Sequence, residues 1–195
     1  PLHIFEPRYR QLMADLEDLP EDEQAFGVIA IREGREVGVD GVRALYDVGT
    51  MASLREMERL DDGRYDIVTV GAGRFRILDL DHALPYTRAL VEEVPEEPGD
   101  AAEVMADAVG AQFEEYRAVF SEGDMDLPDD PRVLSYLIAA AVVIDLPGRQ
   151  AFLEAPTDAD RLRQELSFLR RETSLIAALP SLPAIDLGNE DFSLN

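Results

Sequence analysis

Cysteine, lysine and tryptophan do not occur anywhere in this chain of 195 residues. Without cysteine there is no disulfide scaffold, no thiolate metal site and no cysteine nucleophile. Without lysine there is no Walker A phosphate clamp, no Ser–Lys dyad and no Schiff-base chemistry. The 2 histidines, His3 and His82, stand far apart in sequence. A metal centre needs three or four ligands, so neither a metal nor a cofactor is expected. No apolar run approaches the roughly 18 residues a membrane span requires. No basic segment followed by an apolar one opens the chain, so no signal peptide is expected. A chain free of cysteine suits a reducing compartment, and the expected location is the cytoplasm.

What is abundant is acid. Forty-one Asp and Glu face 18 arginines, a formal charge of −23. Nucleic-acid binding rests on neutralising phosphates with cations, so nucleic acid is not an expected partner unless Arg8, Arg10, Arg74 and Arg76 gather on one face. An anionic membrane surface is disfavoured for the same reason. The apolar share of 46% supplies a real core, and the length fits one large domain or two small packed units.

The chain opens with an apolar lead, Leu2, Ile4 and Phe5, and then Pro7 at the first turn of a helix. Tyr9, Leu12, Met13 and Leu16 make one helical face, and the helix is expected to end near Asp18 to Pro20. Residues 25–32 read as a strand with Glu33-Gly34-Arg35 as its turn. Residues 45–60 read as one or two strands broken around Gly49. Asp61-Asp62-Gly63 signals a hairpin. Residues 65–70 and 75–80 alternate at period 2, with a bulge or bend at Gly71 and Gly73. Residues 86–94 form a further strand.

Pro95-Glu-Glu-Pro98-Gly99 punctuates the chain, and helical periodicity follows. Met105, Val109, Phe113, Tyr116 and Phe120 share one face of a helix of about five turns. Residues 121–127 read as a loop. Asp130-Pro131 caps a helix over 133–144 that is apolar almost all round and reads as the buried centre of a bundle. Asp145-Leu-Pro147-Gly148 reads as its stop, residues 149–155 as a short helix, and Thr157 to Asp160 as a capping box opening a long helix with Leu162, Leu166, Leu169 and Ile176 on one face. The expected organisation is α+β: an antiparallel β unit over 1–95 with one early helix, a helical unit over 100–178, and an extended tail over 179–195.

Catalytic constellations are scarce. Neighbouring carboxylates such as Asp61/Asp62 and Glu96/Glu97 sit in polar turns, whereas acid–base work needs two carboxyls in different environments within a cleft. The serines stand in no nucleophile elbow. Gly71 and Gly73 lack the third glycine and the following helix of a dinucleotide fingerprint. The polar group that stands out is Glu6, Arg8 and Tyr9 beside Phe5. Structurally, Glu6 and Arg8 pair or cap the corner while Tyr9 packs. The alternative, functional reading is that the same corner borders a peptide-binding groove.

Three blocks carry a family resemblance. They are Pro1-Leu-His-Ile-Phe-Glu-Pro-Arg-Tyr-Arg-Gln-Leu-Met13, Val48-Gly-Thr-Met-Ala-Ser-Leu54 and Val70-Gly-Ala-Gly-Arg-Phe-Arg-Ile-Leu78. With residues 134–144, 149–154 and 161–172 in the same order, the chain resembles the amino-terminal substrate-binding domain of Lon proteases, a domain also found without a protease attached. The resemblance implies a PUA-like β-barrel followed by a helical bundle. It implies a non-catalytic module that binds unfolded or degron-bearing polypeptides, or one specific protein partner, in protein quality control, with Phe5, Glu6, Arg8 and Tyr9 as candidate peptide contacts. The alternative is a small-molecule-binding, even enzymatic, PUA-like domain. The family's usual apolar strand before the "PL" motif, and its ATPase and protease segments, have no counterpart in this sequence.

Overall fold

The computed structural model describes residues 1–34, 42–119 and 125–178. Strand β1 (Leu2–Ile4) leads into helix α1 (Pro7–Glu17), with Pro7 in the first turn. A 3-10 turn over Glu21–Glu23 precedes β2 (Ala25–Val28). Strands β3 (Ile31–Gly34) and β4 (Val42–Leu45) pair only with each other, so the expected strand over 25–32 is two strands in separate sheets. Arg35, expected in the turn between them, lies outside the described residues. The long strands β5 (Val48–Arg59) and β6 (Tyr65–Asp81) form the spine, and β7 (Arg88–Val94) closes the β region. The β5–β6 turn falls at Asp61-Asp62-Gly63, where Leu60 N–H donates to Arg64 O at 2.8 Å.

Gly49 does not break its strand. A Cβ there would lie 2.5 Å from Phe75 Cζ and 2.6 Å from the Val28 carbonyl oxygen. Glycine lets three chain segments close on the Phe75 ring, and β5 runs straight through it. The pair Gly71 and Gly73 does mark a bulge: Met51 stands opposite Gly73 and Ala52 opposite Gly71, leaving Ala72 unpaired, with Gly73 at φ +143°. β6 is nonetheless one strand, because β5 accompanies it on both sides of the bulge.

The main sheet has the order β1-β6-β5-β2, with β7 also on β6. It is open, which corrects the expectation of a closed barrel. On the edge of β6 away from β5, β1 pairs with Tyr65–Ile67 and β7 with Arg74–Asp81. Residues 68–73 between them carry no strand on that edge among the described residues. Helix α1 lays Met13 and Leu16 on the sheet against Leu54, Tyr65 and Ile67, the smaller of two cores.

The larger core belongs to the helices: α2 (Ala102–Ala118), α3 (Pro131–Ala141), α4 (Leu146–Leu153) and α5 (Asp158–Ala178). Val109, Phe113, Leu134, Ile138, Phe152, Leu162 and Leu169 meet there. Phe120, expected on the α2 face, and residues 120–124 of the expected loop lie outside the described residues, as does the tail over 179–195. Two expectations need correcting. α3 is not the buried centre; Val133 is 51% exposed and Ala140 and Ala141 are exposed, so only its Leu134–Ser135–Ile138 face is covered. The helix that touches α2, α3 and α4 is α5. Residues 145–148 do not stop α3, which already ends at Ala141; Asp145 instead starts α4, its Oδ1 accepting from Gly148 N–H at 2.9 Å, with Pro147 in the first turn. Thr157 caps α5 as expected, its Oγ1 accepting from Asp160 N–H at 3.0 Å.

Candidate functional site

Two places assemble polar groups with aromatic rings. The first is the corner between β1 and α1. Glu6 has extended backbone (φ −67°, ψ 136°) and its side chain does not cap the helix. Its Oε2 instead accepts from Arg8 Nε at 3.0 Å, and the Arg8 guanidinium lies 4.4 Å from the centre of the Tyr9 ring. Both members of the ion pair are about a third exposed. Phe5 is 62% exposed, its ring stacked near His3 at 6.4 Å between centroids. His3 is held in turn, Nδ1 to Asp66 Oδ1 at 2.6 Å and Nε2 to Arg64 Nη1 at 3.0 Å. Leu2 is 49% exposed, and a cleft of about 380 Å³ beside β1 is lined by Leu2, His3, Met57, Asp66, Ile67 and Val68. The four residues singled out from the sequence therefore stand together. Glu6, Arg8 and Tyr9 interlock, and Phe5 is largely exposed with its ring near His3.

The second place is the junction between the sheet and the helices, which sequence reasoning missed. Arg74 in β6 reaches across with its side chain 1% exposed. Its Nε donates to Glu96 Oε1 at 2.7 Å, and its Nη1 to the carbonyls of Leu153 at 2.8 Å and Ala155 at 2.7 Å. Its Nη2 donates to the Pro95 carbonyl at 3.0 Å. Arg161 in α5 is fully buried. It donates to the Phe152 carbonyl, Ser135 Oγ, Asp158 Oδ1 and the Tyr136 hydroxyl at 3.0 to 3.3 Å, and lies 3.6 Å from Glu96 Oε2. The Tyr136 hydroxyl donates to Glu96 Oε1 at 2.7 Å, and its ring sits 4.0 Å under the Arg161 guanidinium. Burial, with the bond to Glu96, pushes the Tyr136 hydroxyl up to about 12. Gln150 adds a bond to the Val48 carbonyl at 2.9 Å. A buried guanidinium needs its five donors satisfied, and both arginines come close to that.

The junction is packed with charge that is largely hydrogen-bonded, although Glu96 Oε2 has no hydrogen-bond partner among the described residues. Arg74 is buried and committed there, so Arg8, Arg10, Arg74 and Arg76 do not gather on one exposed face. The signal for this network was present but weak. Arg161 and Glu165 fall on the same stripe of α5 as Leu162 and Leu169, and a charge on an apolar stripe asks for a partner. Glu165 finds no hydrogen-bond partner among the described residues, and burial pushes its carboxyl up to about 9.

A third concavity, about 900 Å³, lies between α4 and α5 over Ile144, Ala151, Phe152 and Phe168. Its rim carries Asp145 and Asp160 against Arg163 and Arg171, so its charges balance. Among the described residues no group of three or more His, Asp or Glu is placed to hold a metal ion, and no helix is long and apolar enough to cross a membrane.

The sheet with helices packed at one end defines an α+β class with known counterparts. The chain superposes on the Lon N-terminal domain protein from Xanthomonas campestris with a TM-score of 0.55 at 21% identity, covering 86% of this chain and 87% of that one. It superposes on the N-terminal domain of Mycobacterium avium complex Lon protease with a TM-score of 0.58 at 14% identity, covering 87% and 89%. At those identities the likeness speaks for the fold. In sequence, residues 1–171 match the model of the ATP-dependent protease La (LON) substrate-binding domain, and the chain belongs to that family. It is 27% identical over 177 residues to Lon protease 2 of Myxococcus xanthus, covering 86% of this chain and 21% of that protein. It is 30% identical over 189 residues to Lon protease 2 of Sorangium cellulosum, covering 90% and 23%. The chain thus spans about a fifth to a quarter of the curated relatives it matches.

Proposed function

We propose that this chain is a non-catalytic substrate-recognition module that binds polypeptides, with the β1–α1 corner as part of the contact surface. Membership of the Lon substrate-binding family supports the general role. The observation that carries the location is Phe5: a phenylalanine 62% exposed on a corner stiffened by the Glu6–Arg8–Tyr9 interlock. An exposed aromatic on a rigid base is the economical way to hold an apolar side chain of an extended peptide, since little ordering entropy remains to be lost. Arg8, a third exposed, is placed to donate to a peptide carbonyl or carboxylate. In this reading residues 1–95 act as the PUA-like unit and 100–178 as the bundle that supports it, and the partner is an unfolded or degron-bearing chain or one protein that presents such a segment.

The test is a tiled array of peptides from unfolded proteins, with hits titrated by fluorescence anisotropy. Saturable binding to apolar or aromatic peptides is expected, weakened at least tenfold by Phe5→Ala with the circular dichroism spectrum unchanged. Absence of binding to every peptide at about 100 μM, where even a weak module registers, sinks the proposal. Binding that Phe5→Ala and Arg8→Ala leave intact moves the site off this corner.

A further inference from the structure

Strand β7 has β6 on one side and no strand on the other among the described residues. Six of its seven residues are exposed, with Leu90 at 65% and Val91 at 39%. Beyond Arg76 the β6–β7 ribbon leaves β5 behind, so both of its faces meet solvent; Leu78 is 55% and Leu80 37% exposed. A free edge of this kind, bordered by exposed aliphatic side chains, is a template for another strand.

We infer that the edge pairs with the β7 edge of a second copy of this chain, in an antiparallel, two-fold symmetric four-stranded sheet centred on Leu90. The register follows from symmetry and charge. A two-fold axis normal to the sheet keeps each side chain on its own face, and residues opposite each other must share a face. The axis therefore passes at a residue, never between two. Centred on Leu90, Arg88 meets Glu92 of the second copy, Ala89 meets Val91, and Leu90 meets its own mate. Centred on Val91 instead, Leu90 and Ala89 would both face glutamates and Arg88 would face Val94. Centred on Glu92, carboxylates would face each other.

The Leu90 register also continues rows already present within the ribbon. Asp81 pairs with Arg88 at 2.5 Å and Arg76 with Glu92 at 3.4 Å. Across the join these become a single row of alternating sign, Asp81, Arg88, then Glu92 and Arg76 of the second copy. Opposite residues of this kind stabilise a sheet. On the other face Leu80, which pairs with Ala89, and Ile77, which pairs with Val91, complete an apolar row over both copies. One face would carry the charged row with the Leu90 pair at its centre, flanked by Asp79 of each copy; the other would be aliphatic across Leu80, Ala89, Val91 and Ile77, with Glu93 at its end. The formal charge of −23 per chain opposes association at low ionic strength, and about 0.15 M salt screens it beyond roughly 8 Å.

Sedimentation velocity in 0.15 M salt, from about 1 to 200 μM protein, is expected to show the mass rising from 21.7 kDa toward twice that value. Leu90→Asp puts two carboxylates on the axis and is expected to hold the protein at the single-chain mass. The register is read separately by cysteine, which the chain lacks. Leu90→Cys is expected to form a disulfide between copies under diamide. Glu93→Cys is not, because its mate lies six residues along the strand, about 20 Å away. A single-chain mass at every concentration overturns the inference. So does equal cross-linking at positions 90 and 93, or a dimer that Leu90→Asp leaves intact.

Discussion

The same three side-chain types meet at the β1–α1 corner and at the junction between sheet and helices, an arginine over a tyrosine with a glutamate beside it. At the β1–α1 corner Arg8 lies 4.4 Å from the Tyr9 ring and pairs with Glu6, all within four consecutive residues and a third open to water. At the junction Arg161 lies 4.0 Å from the Tyr136 ring and 3.6 Å from Glu96, and the three come from α5, α3 and the linker after β7. Arg161 is wholly buried. The chemistry is the same and the surroundings differ. In water the pair competes with solvent and is screened; in the interior each unmet charge carries its full desolvation cost. The corner is therefore free to trade its contacts for a ligand's, whereas the junction is a fastening.

That contrast orders the predictions. The largest effect is expected at the junction: Arg161→Ala takes one cation from Asp158, which keeps Arg132, and one from Glu96, which keeps Arg74, leaves a buried cavity, and should cost about 3–5 kcal/mol in urea unfolding at pH 7. A loss below about 1 kcal/mol would erase the distinction between the two places. Next comes Glu165, which has no arginine close enough to bond it. Its carboxyl holds its proton in the folded protein to about 9, against an ordinary 4.5. Between those values the Glu165 carboxyl binds a proton in the folded state that it has lost in the unfolded one, so its contribution to stability is full below about 4.5 and is lost as pH rises toward about 9. The slope approaches 1.4 kcal/mol per pH unit. Glu165→Leu should flatten the difference between midpoints measured at pH 5 and pH 8; an unchanged slope would show that the carboxyl is not held neutral. The smallest effect is expected at the corner, where Arg8→Ala should change stability by less than about 1 kcal/mol while weakening peptide binding. A loss as large as that of Arg161→Ala would make the corner a fastening too.

Much of the architecture was legible because its causes are local. Pro7 and the Tyr9–Leu12–Met13–Leu16 face specify α1; Asp61-Asp62-Gly63 specifies the turn between the two long strands; Thr157 and Asp160 specify the start of α5. Each acts through neighbours within about four residues. The errors had one source. Gly49 looked like a strand break because Phe75, whose ring requires the glycine, lies 26 positions along the chain (75 − 49). Residues 133–144 looked wholly buried because the apolar side chains of Val133 and Val143 give no sign of facing water, at 51% and 84% exposure. Among the described residues the barrel stays open because β2 at one end of the sheet does not pair with β1 or β7 at the other, a long-range pairing that local patterns do not report. The corner residues were legible as a group since they are consecutive; that Phe5 turns outward while Tyr9 is half-buried was not.

Composition by itself excluded thiolate and lysine chemistry, and the order of blocks from Pro1 to Glu172 placed the chain in its family. Local periodicity and capping specified where helices and strands run. Only the tertiary structure decided which charges are buried, because burial is a property of what packs on a residue from elsewhere in the chain. Arg8, Arg74 and Arg161 are the same letter in the sequence. Glu96, reached from β6, α3 and α5 at once, separates the last two from the first.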